Sequence, residues 1–382
     1  MHHVTEEIFS KSSFPVCMAP MVGLSHAIFR EIVRSYMPSE GDQNSFSVDE
    51  NNTTSRKTIW PTEMLNSRRI PDEMLGKNSE TYVLKNETFL IPQILGNQKE
   101  EIQKSVVRLF NEWNIFGIDI NMGCPVQKAL KHNYGVSLMG DIDYARSVIE
   151  FARQASDQIF DLHGRYLPVS VKLRAVDSDK SADELCRIVD LFSKSGADWI
   201  TLHPRTASQK RKGTADWDQI NILKNRVDIP IIGNGDVQIA DDVFQMLSET
   251  QANKVMIGRA LTARPWIMWQ VGYRMGFNNP LSKQIDEKPP LTASEEGQEY
   301  GRMLLLFIEL CELHLIQKLG LNENLVRRKI IFFVRTGHVW LQFGHDLLSK
   351  MTRSQTTAEM KSYIVDFFKS EQLMFQKTQL RQ

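Results

Sequence analysis

The chain has 382 residues, 42% of them hydrophobic and 24% charged, an ordinary globular composition with apolar residues enough for a large core. Lys+Arg and Asp+Glu each number 46, so net charge makes no case for nucleic acid and any basic surface must be local. No apolar run approaches the roughly 20 residues of a membrane span, and the four separated cysteines, with no Cys-x-x-Cys, speak against a zinc site or a disulfide framework.

The N-terminus, Met1-His-His-Val, lacks the basic start and apolar stretch of a signal peptide, so a reducing cytoplasm is the expected location. Eight short apolar runs then follow: Val16–Pro20, Ile59–Met64, Phe89–Leu95, Phe116–Ile120, Val169–Leu173, Trp199–Leu202, Ile229–Ile232 and Lys254–Ile257. Helical patterns fall between them, at Leu24–Tyr36, Lys99–Asn111, Asp143–Ala155, Ala182–Ser195, Trp217–Lys224 and Ile239–Leu247. Strands alternating with helices predict a parallel sheet, and eight units predict a closed (β/α)8 TIM barrel over residues 1–275. Pro38–Lys57 is polar and reads as a surface insertion.

Residues 276–292 read as a linker. Thr292-Ala-Ser-Glu295 is a capping box opening a helix to about Leu319, stopped by Gly320. A second helix is predicted from Glu323 to about Phe343, and a third behind a capping box at Thr356-Thr-Ala-Glu359, through Phe368. Residues 293–382 thus form an all-helical C-terminal domain.

In such a barrel the chemistry sits where the strands end. Cys124 closes the fourth run within Asn121-Met-Gly-Cys-Pro125. A lowered pKa would make it a nucleophile, whereas an ordinary value near 8.5 leaves it a proton donor at neutral pH. The absence of His or Lys just before it favours the donor, and a small buried hydrophobe is the plain alternative. Cys17, Cys186 and Cys311 fall in apolar patterns and read as core.

Lys172 lies inside an otherwise apolar strand, and alternation points it into the barrel together with Arg174. An ammonium there needs a partner, which a negatively charged cofactor would supply. His203-Pro-Arg205 ends the sixth run, followed by the basic loop Lys210-Arg-Lys-Gly213. Gly233-Asn234-Gly235-Asp236 and Gly258-Arg259 end strands seven and eight, the pairing that makes a phosphate site in this fold. Gln93 can both donate and accept toward a flavin or pyrimidine edge, and Ala19-Pro20-Met21 offers small residues where a flat ring could lie.

These residues in this order resemble the tRNA-dihydrouridine synthases. The likeness runs from about Pro15 to Trp266 and is carried by Ala19-Pro-Met-Val-Gly-Leu, Thr62-Glu-Met, Gln93-Ile-Leu-Gly, Asp119-Ile-Asn-Met-Gly-Cys-Pro125 with Gly135-Val-Ser-Leu-Met139, Val171-Lys-Leu-Arg174, Leu202-His-Pro-Arg-Thr206, Ile232-Gly-Asn-Gly-Asp-Val237 and Met256-Ile-Gly-Arg-Ala260. The family often has His-Gly-Arg where this chain has His203-Pro-Arg.

The resemblance implies FMN, reduced by NADPH, and reduction of the 5,6 double bond of uridine in tRNA. Cys124 would then protonate C5 while hydride reaches C6. Ala19, Pro20, Met21, Gln93, Lys172, His203, Asn234, Gly235, Asp236, Gly258 and Arg259 would hold FMN, and Asn121, Arg174 and Arg205 would meet the substrate. No metal, membrane or protein partner is implied.

For the RNA footprint, Arg327, Arg328, Lys329 and Arg335 alternate with Phe332, Phe333 and Trp340, so that a helix could offer charge to tRNA while burying its aromatics. A solvated amphipathic helix is the bland alternative. Two other functions stay open at this point: a flavin barrel acting on free pyrimidines, of the dihydropyrimidine or dihydroorotate dehydrogenase kind, and a non-catalytic tRNA-binding barrel.

Overall fold

The computed structural model describes residues 3–10, 12–39, 57–176, 181–210 and 212–379. Eight parallel strands form one sheet: β1 (Val16–Met18), β2 (Trp60–Asn66), β3 (Leu90–Leu95), β4 (Ile118–Met122), β5 (Val169–Arg174), β6 (Trp199–His203), β7 (Ile231–Asn234) and β8 (Lys254–Ile257). They run in the order β1-β8-β7-β6-β5-β4-β3-β2, so each neighbours the next in sequence and β8 returns to β1. The ring closes between β1 and β2 through Phe14 N–H to Lys57 C=O (2.9 Å) and the Thr58 hydroxyl to Val16 C=O (2.7 Å). This is a TIM barrel, with further helices at the C-terminal end of the chain.

Alternation decides which residues face the barrel axis. Ile118, Ile120, Val169, Val171, Ile200 and Leu202 pack outward under the helices, in one core with Ile149, Val189 and Leu223. Cys17, Ile91, Trp199, Ile232 and Met256 fill the inside. Sequence reading did not find the helix His3–Phe9, which covers the bottom of the barrel: Ile8 is fully buried and the Phe9 ring meets Trp199 edge-on at 5.6 Å. Of the polar insertion, residues 40–56 lie outside the described residues.

The helix expected over Asp143–Ala155 instead runs Ile142–His163, because Ser156 and Ile159 continue the buried face and only Gly164, at φ +66°, ends it. Residues 276–292 are not a loose connection. Asn279 Nδ2 gathers the carbonyls of Gln284, Ile285 and Glu287, and its Oδ1 accepts from Trp269 Nε1 at 3.0 Å.

The helix Ala293–Cys311 opens with both halves of the capping box, Glu295 N–H to the Thr292 hydroxyl and Thr292 N–H to the Glu295 carboxylate. It continues through a π-helical turn, Glu312–Lys318, to Gly320 at φ +68°. The second tail helix is shorter than expected. It ends at Gly337, where a Cβ would lie 2.8 Å from the Thr262 carbonyl, and a tight turn carries Trp340 inward so that its indole N–H reaches Gln238 Oε1 at 3.0 Å. Phe343, at φ +56°, then starts a helix that sequence reading missed, Gly344–Arg353, before the last one, Thr357–Phe367.

The tail is bolted to the barrel by a buried ion pair. Glu296 accepts from Arg264 Nη2 at 2.9 Å, from Arg264 Nε and from the indole of Trp266. Tyr36 donates to Glu299 at 2.6 Å. Phe333 stacks on Phe307 at 4.0 Å and meets Phe29 of the barrel at 5.1 Å.

Candidate active site

Two adjoining cavities open where the strands end. One lies over β7 and β8 and is lined by Ala19, Pro20, Met21, Asn234, Gly235, Asp236, Gly258 and Arg259, with Lys172, Arg174, His203 and Arg205 at its side. The other, about 720 Å³, reaches over β4 and is lined by Asn121, Cys124, Lys210 and Phe332 among others. They share Pro20, Met21, Lys172, Arg174, His203 and Arg259, so they are two ends of one cleft.

The β7–β8 end is shaped by backbone. Gly235 sits at φ +123°, and a Cβ there would come within 2.8 Å of Ala215 Cβ and 3.0 Å of His203 Cδ2. Asp236 follows at φ +60°. Among the described residues no acceptor takes the main-chain N–H groups of Gly235, Asp236 or Gly258. These N–H groups beside the Arg259 side chain make a cradle for an anion.

The clamp around this cradle is specific. Arg205 donates from Nη2 to both Asp236 oxygens (2.7 and 2.8 Å) and to Gly213 C=O, and Asp236 also accepts from Ala215 N–H at 2.6 Å. Arg205, expected to meet the substrate, holds the loop and Asp236 while lining the cavity. Arg174 likewise donates to the carbonyls of Gly123 (2.8 Å), Thr206 and Lys210. The basic loop after His203 is therefore pinned through its carbonyls, with Arg211 outside the described residues.

The middle of the cleft is crowded with cations. Burial, then Arg174, pulls the Lys172 ammonium down to about 8. Burial, then Lys172, Arg174, Arg205 and Arg259, pulls His203 down to about 2, which keeps its imidazole neutral. An anionic ligand would relieve both groups, since it restores the charge that burial and like neighbours oppose.

At the β4 end, Asn121 shapes the turn. Its Oδ1 accepts from Gly123 N–H (3.2 Å) and Cys124 N–H (3.0 Å), while Nδ2 donates to Gln93 Oε1 at 2.8 Å. Gly135, at φ +60°, backs the turn so closely that a Cβ would lie 2.6 Å from Cys124 C=O. Burial pushes the Cys124 thiol up, and a hydrogen bond with Val126 N–H and the charges of Arg174 and Lys172 only partly oppose it. The thiol is therefore protonated at neutral pH and half-buried at the lip, fit to donate a proton rather than attack.

Gln93 is placed differently from expectation. It is fully buried, lines neither cavity, and donates to Asp119 Oδ2 at 2.6 Å. Asp119 in turn accepts from the Ser170 hydroxyl at 2.6 Å, so Gln93 is the middle of a buried chain that steadies Asn121 from below. That chain follows from inward alternation on β3, β4 and β5. Sequence reading also missed Phe332 at the cleft and the role of Glu63, whose Oε2 accepts from Gly23 N–H at 2.6 Å. The only signal for Glu63 was a carboxylate inside an apolar run.

A family model described as dihydrouridine synthase (Dus) matches residues 17–304. The chain belongs to this family. A probable tRNA-dihydrouridine synthase of Rhizobium leguminosarum is 29% identical over 294 residues, which cover 76% of this chain and 79% of that one. Another, of Aquifex aeolicus, is 30% identical over 271 residues, covering 71% and 77%. As a member of the dihydrouridine synthase family, this chain is a flavin-dependent oxidoreductase. The family match ends inside the first tail helix, so the helices beyond it, including Glu323–Gly337, rest on the structure alone.

Proposed function

We propose that this chain is a tRNA-dihydrouridine synthase that uses FMN and NADPH to reduce the C5=C6 bond of uridine in tRNA. The observation that carries the reading is a protonated thiol, Cys124, at one end of a cationic cleft whose other end is an anion cradle. Residues present fit FMN. The open N–H groups of Gly235, Asp236 and Gly258, with Arg259, suit its phosphate, and the wall of Ala19, Pro20 and Met21 facing Lys172 and His203 suits a flat ring of mixed polarity.

When bound, FMN supplies hydride to C6 of the uracil after reduction by NADPH. The protein's own groups do the rest. Cys124 gives its proton to C5 as negative charge develops there, so that one hydride and one proton are added across the bond. General acid catalysis of this kind typically contributes about 10²–10⁴-fold. Asn121 fixes the turn bearing the thiol, and its own orientation is set by Gln93 and Asp119. Lys172 and the neutral His203 are donors toward the cofactor side of the cleft. Arg174 lines both cavities, next to the Cys124 turn it buttresses, where it can meet the uracil.

The target base must leave its stack to enter such a cleft. We assign the tail, residues 293–382, to RNA binding, with 1–275 as the catalytic barrel. We place the activity in the cytoplasm; among the described residues no helix is long and apolar enough to cross a membrane. The test is to purify the protein, identify its pigment, and supply NADPH with either unmodified tRNA or free uracil. A yellow protein that makes dihydrouridine only in tRNA is expected. A colourless protein, or turnover of free uracil alone, would overturn the proposal.

A further inference from the structure

The helix Glu323–Gly337 carries Arg327, Arg328, Lys329, Phe332, Phe333 and Arg335, with Trp340 in the turn that follows, and these residues do different jobs. Phe333 is buried in the barrel–tail joint and Trp340 beneath it. Arg327 is tied to Asn324 and to the Ser354 carbonyl. Phe332 departs from the expectation that the aromatics are buried: the residue is 43% exposed and lines the same cavity as Cys124 and Asn121.

Its position is set by packing. Phe333, the next residue, is clamped between Phe307 and Phe29, which fixes the helix and the direction in which Phe332 points. One edge of the Phe332 ring rests on Gly23, where even a Cβ would lie 3.0 Å from Cε1. Gly23 is itself held at φ +75° by the buried Glu63 carboxylate. Arg328 and Arg335, one helical turn before and after Phe332, are exposed on the same face, and neither has an ion pair among the described residues. Val22, 59% exposed, extends the apolar lip beside them.

Arg328 Nε reaches only the Asn324 carbonyl of its own helix, at 3.4 Å. An exposed aromatic flanked by two exposed guanidinium groups that lack a counter-charge, at the edge of a catalytic cleft, is a stacking platform for an unstacked nucleobase, with its phosphates on either side. From this geometry we infer that Phe332 stacks a base of the RNA at the mouth of the cleft, while Arg328 and Arg335 hold the adjoining backbone. The tail helix is thus part of the substrate pocket itself. This rests on the proposed tRNA reading, and it assigns to residues outside the family match a specific contact with the substrate.

The test is equilibrium binding of an unmodified tRNA transcript by the full chain, as purified with its cofactor, at several salt concentrations. Phe332→Ala should weaken binding by about 5- to 100-fold with no change in salt slope, and Phe332→Trp should restore it. Arg335→Ala should weaken binding and reduce the salt slope by about one. Melting temperature and flavin content should stay at wild-type values in all three. If Phe332→Ala binds like a wild-type protein that does bind and reduce tRNA, the inference fails and the enzyme reading stands. If Phe332→Trp fails to restore binding, or melting temperature falls with it, the ring is structural and the inference also fails. If the wild-type protein neither binds nor reduces tRNA, both fall together.

Discussion

Replacing Gly235 by alanine tests the anion cradle at its tightest point. A side-chain-bearing residue at φ +123° stores strain on the order of 1–3 kcal/mol. The new methyl would also sit 2.8 Å from Ala215 Cβ. Ala215 cannot simply retreat, because its N–H is held by Asp236, which is held by Arg205 through two contacts. Overpacking of this sort costs about 1–3 kcal/mol. Together the two effects reach about 2–6 kcal/mol. If the turn holds its shape, the loss appears as stability. If it shifts, the Gly235 and Asp236 N–H groups leave the cradle, and FMN affinity falls by about 30-fold for each ~2 kcal/mol of strain that binding must restore, at 1.4 kcal/mol per factor of ten. Fluorescence titration of FMN and thermal melting of the same sample read both channels. Wild-type values in both would refute the cradle as described.

Other expectations follow from the same geometry. Glu296→Gln leaves the Arg264 guanidinium buried without a counter-charge, so urea unfolding should show a loss of about 3–5 kcal/mol; a loss below about 1 kcal/mol would contradict the joint between barrel and tail. Burial raises the Glu63 carboxyl from 4.5 to about 7, so the folded state holds a proton that the unfolded chain releases between those values. Its contribution to stability is therefore complete below about pH 4.5 and is lost as pH rises through about 7, up to about 3 kcal/mol in all. Glu63→Gln keeps an acceptor for Gly23 N–H and should remove that part of the slope, so that the variant gains on wild type between pH 5 and 8; parallel curves would count against it. His203, lowered to about 2, should show no imidazole titration by NMR across about pH 5–8, whereas a transition near 6.5 would mean that its cationic surroundings are wrongly drawn.

The barrel was legible because its signals are local and repeated. Apolar runs bounded by glycine and polar turns mark strands wherever they occur, and all eight are present. Strand-end residues were legible for the same reason: position 172 or 203 in its run settles the side of the sheet. What escaped were features set by distant partners. The partners of Gln93, Asp119 and Asn121, come from the adjacent strand β4, and no local pattern around Gln93 announces them. The hold of Arg205 on Asp236, a strand away, is likewise invisible in the sequence. The second tail helix continues its periodicity past Gly337, and only the contact of Gly337 with Thr262 and of Trp340 with Gln238 shows why it stops. Phe332 and Phe333 are adjacent and alike in sequence. One is core and the other is surface because of what lies across from them.

The role of Cys124 can be measured directly. Wild-type protein and the Cys124→Ala variant, both loaded with FMN, are incubated with NADPH and unmodified tRNA, and the nucleosides are weighed by mass spectrometry. The account predicts uridine gaining two hydrogens with wild type, and bound flavin but no product with the variant. Dihydrouridine formed by Cys124→Ala at the wild-type rate would contradict it.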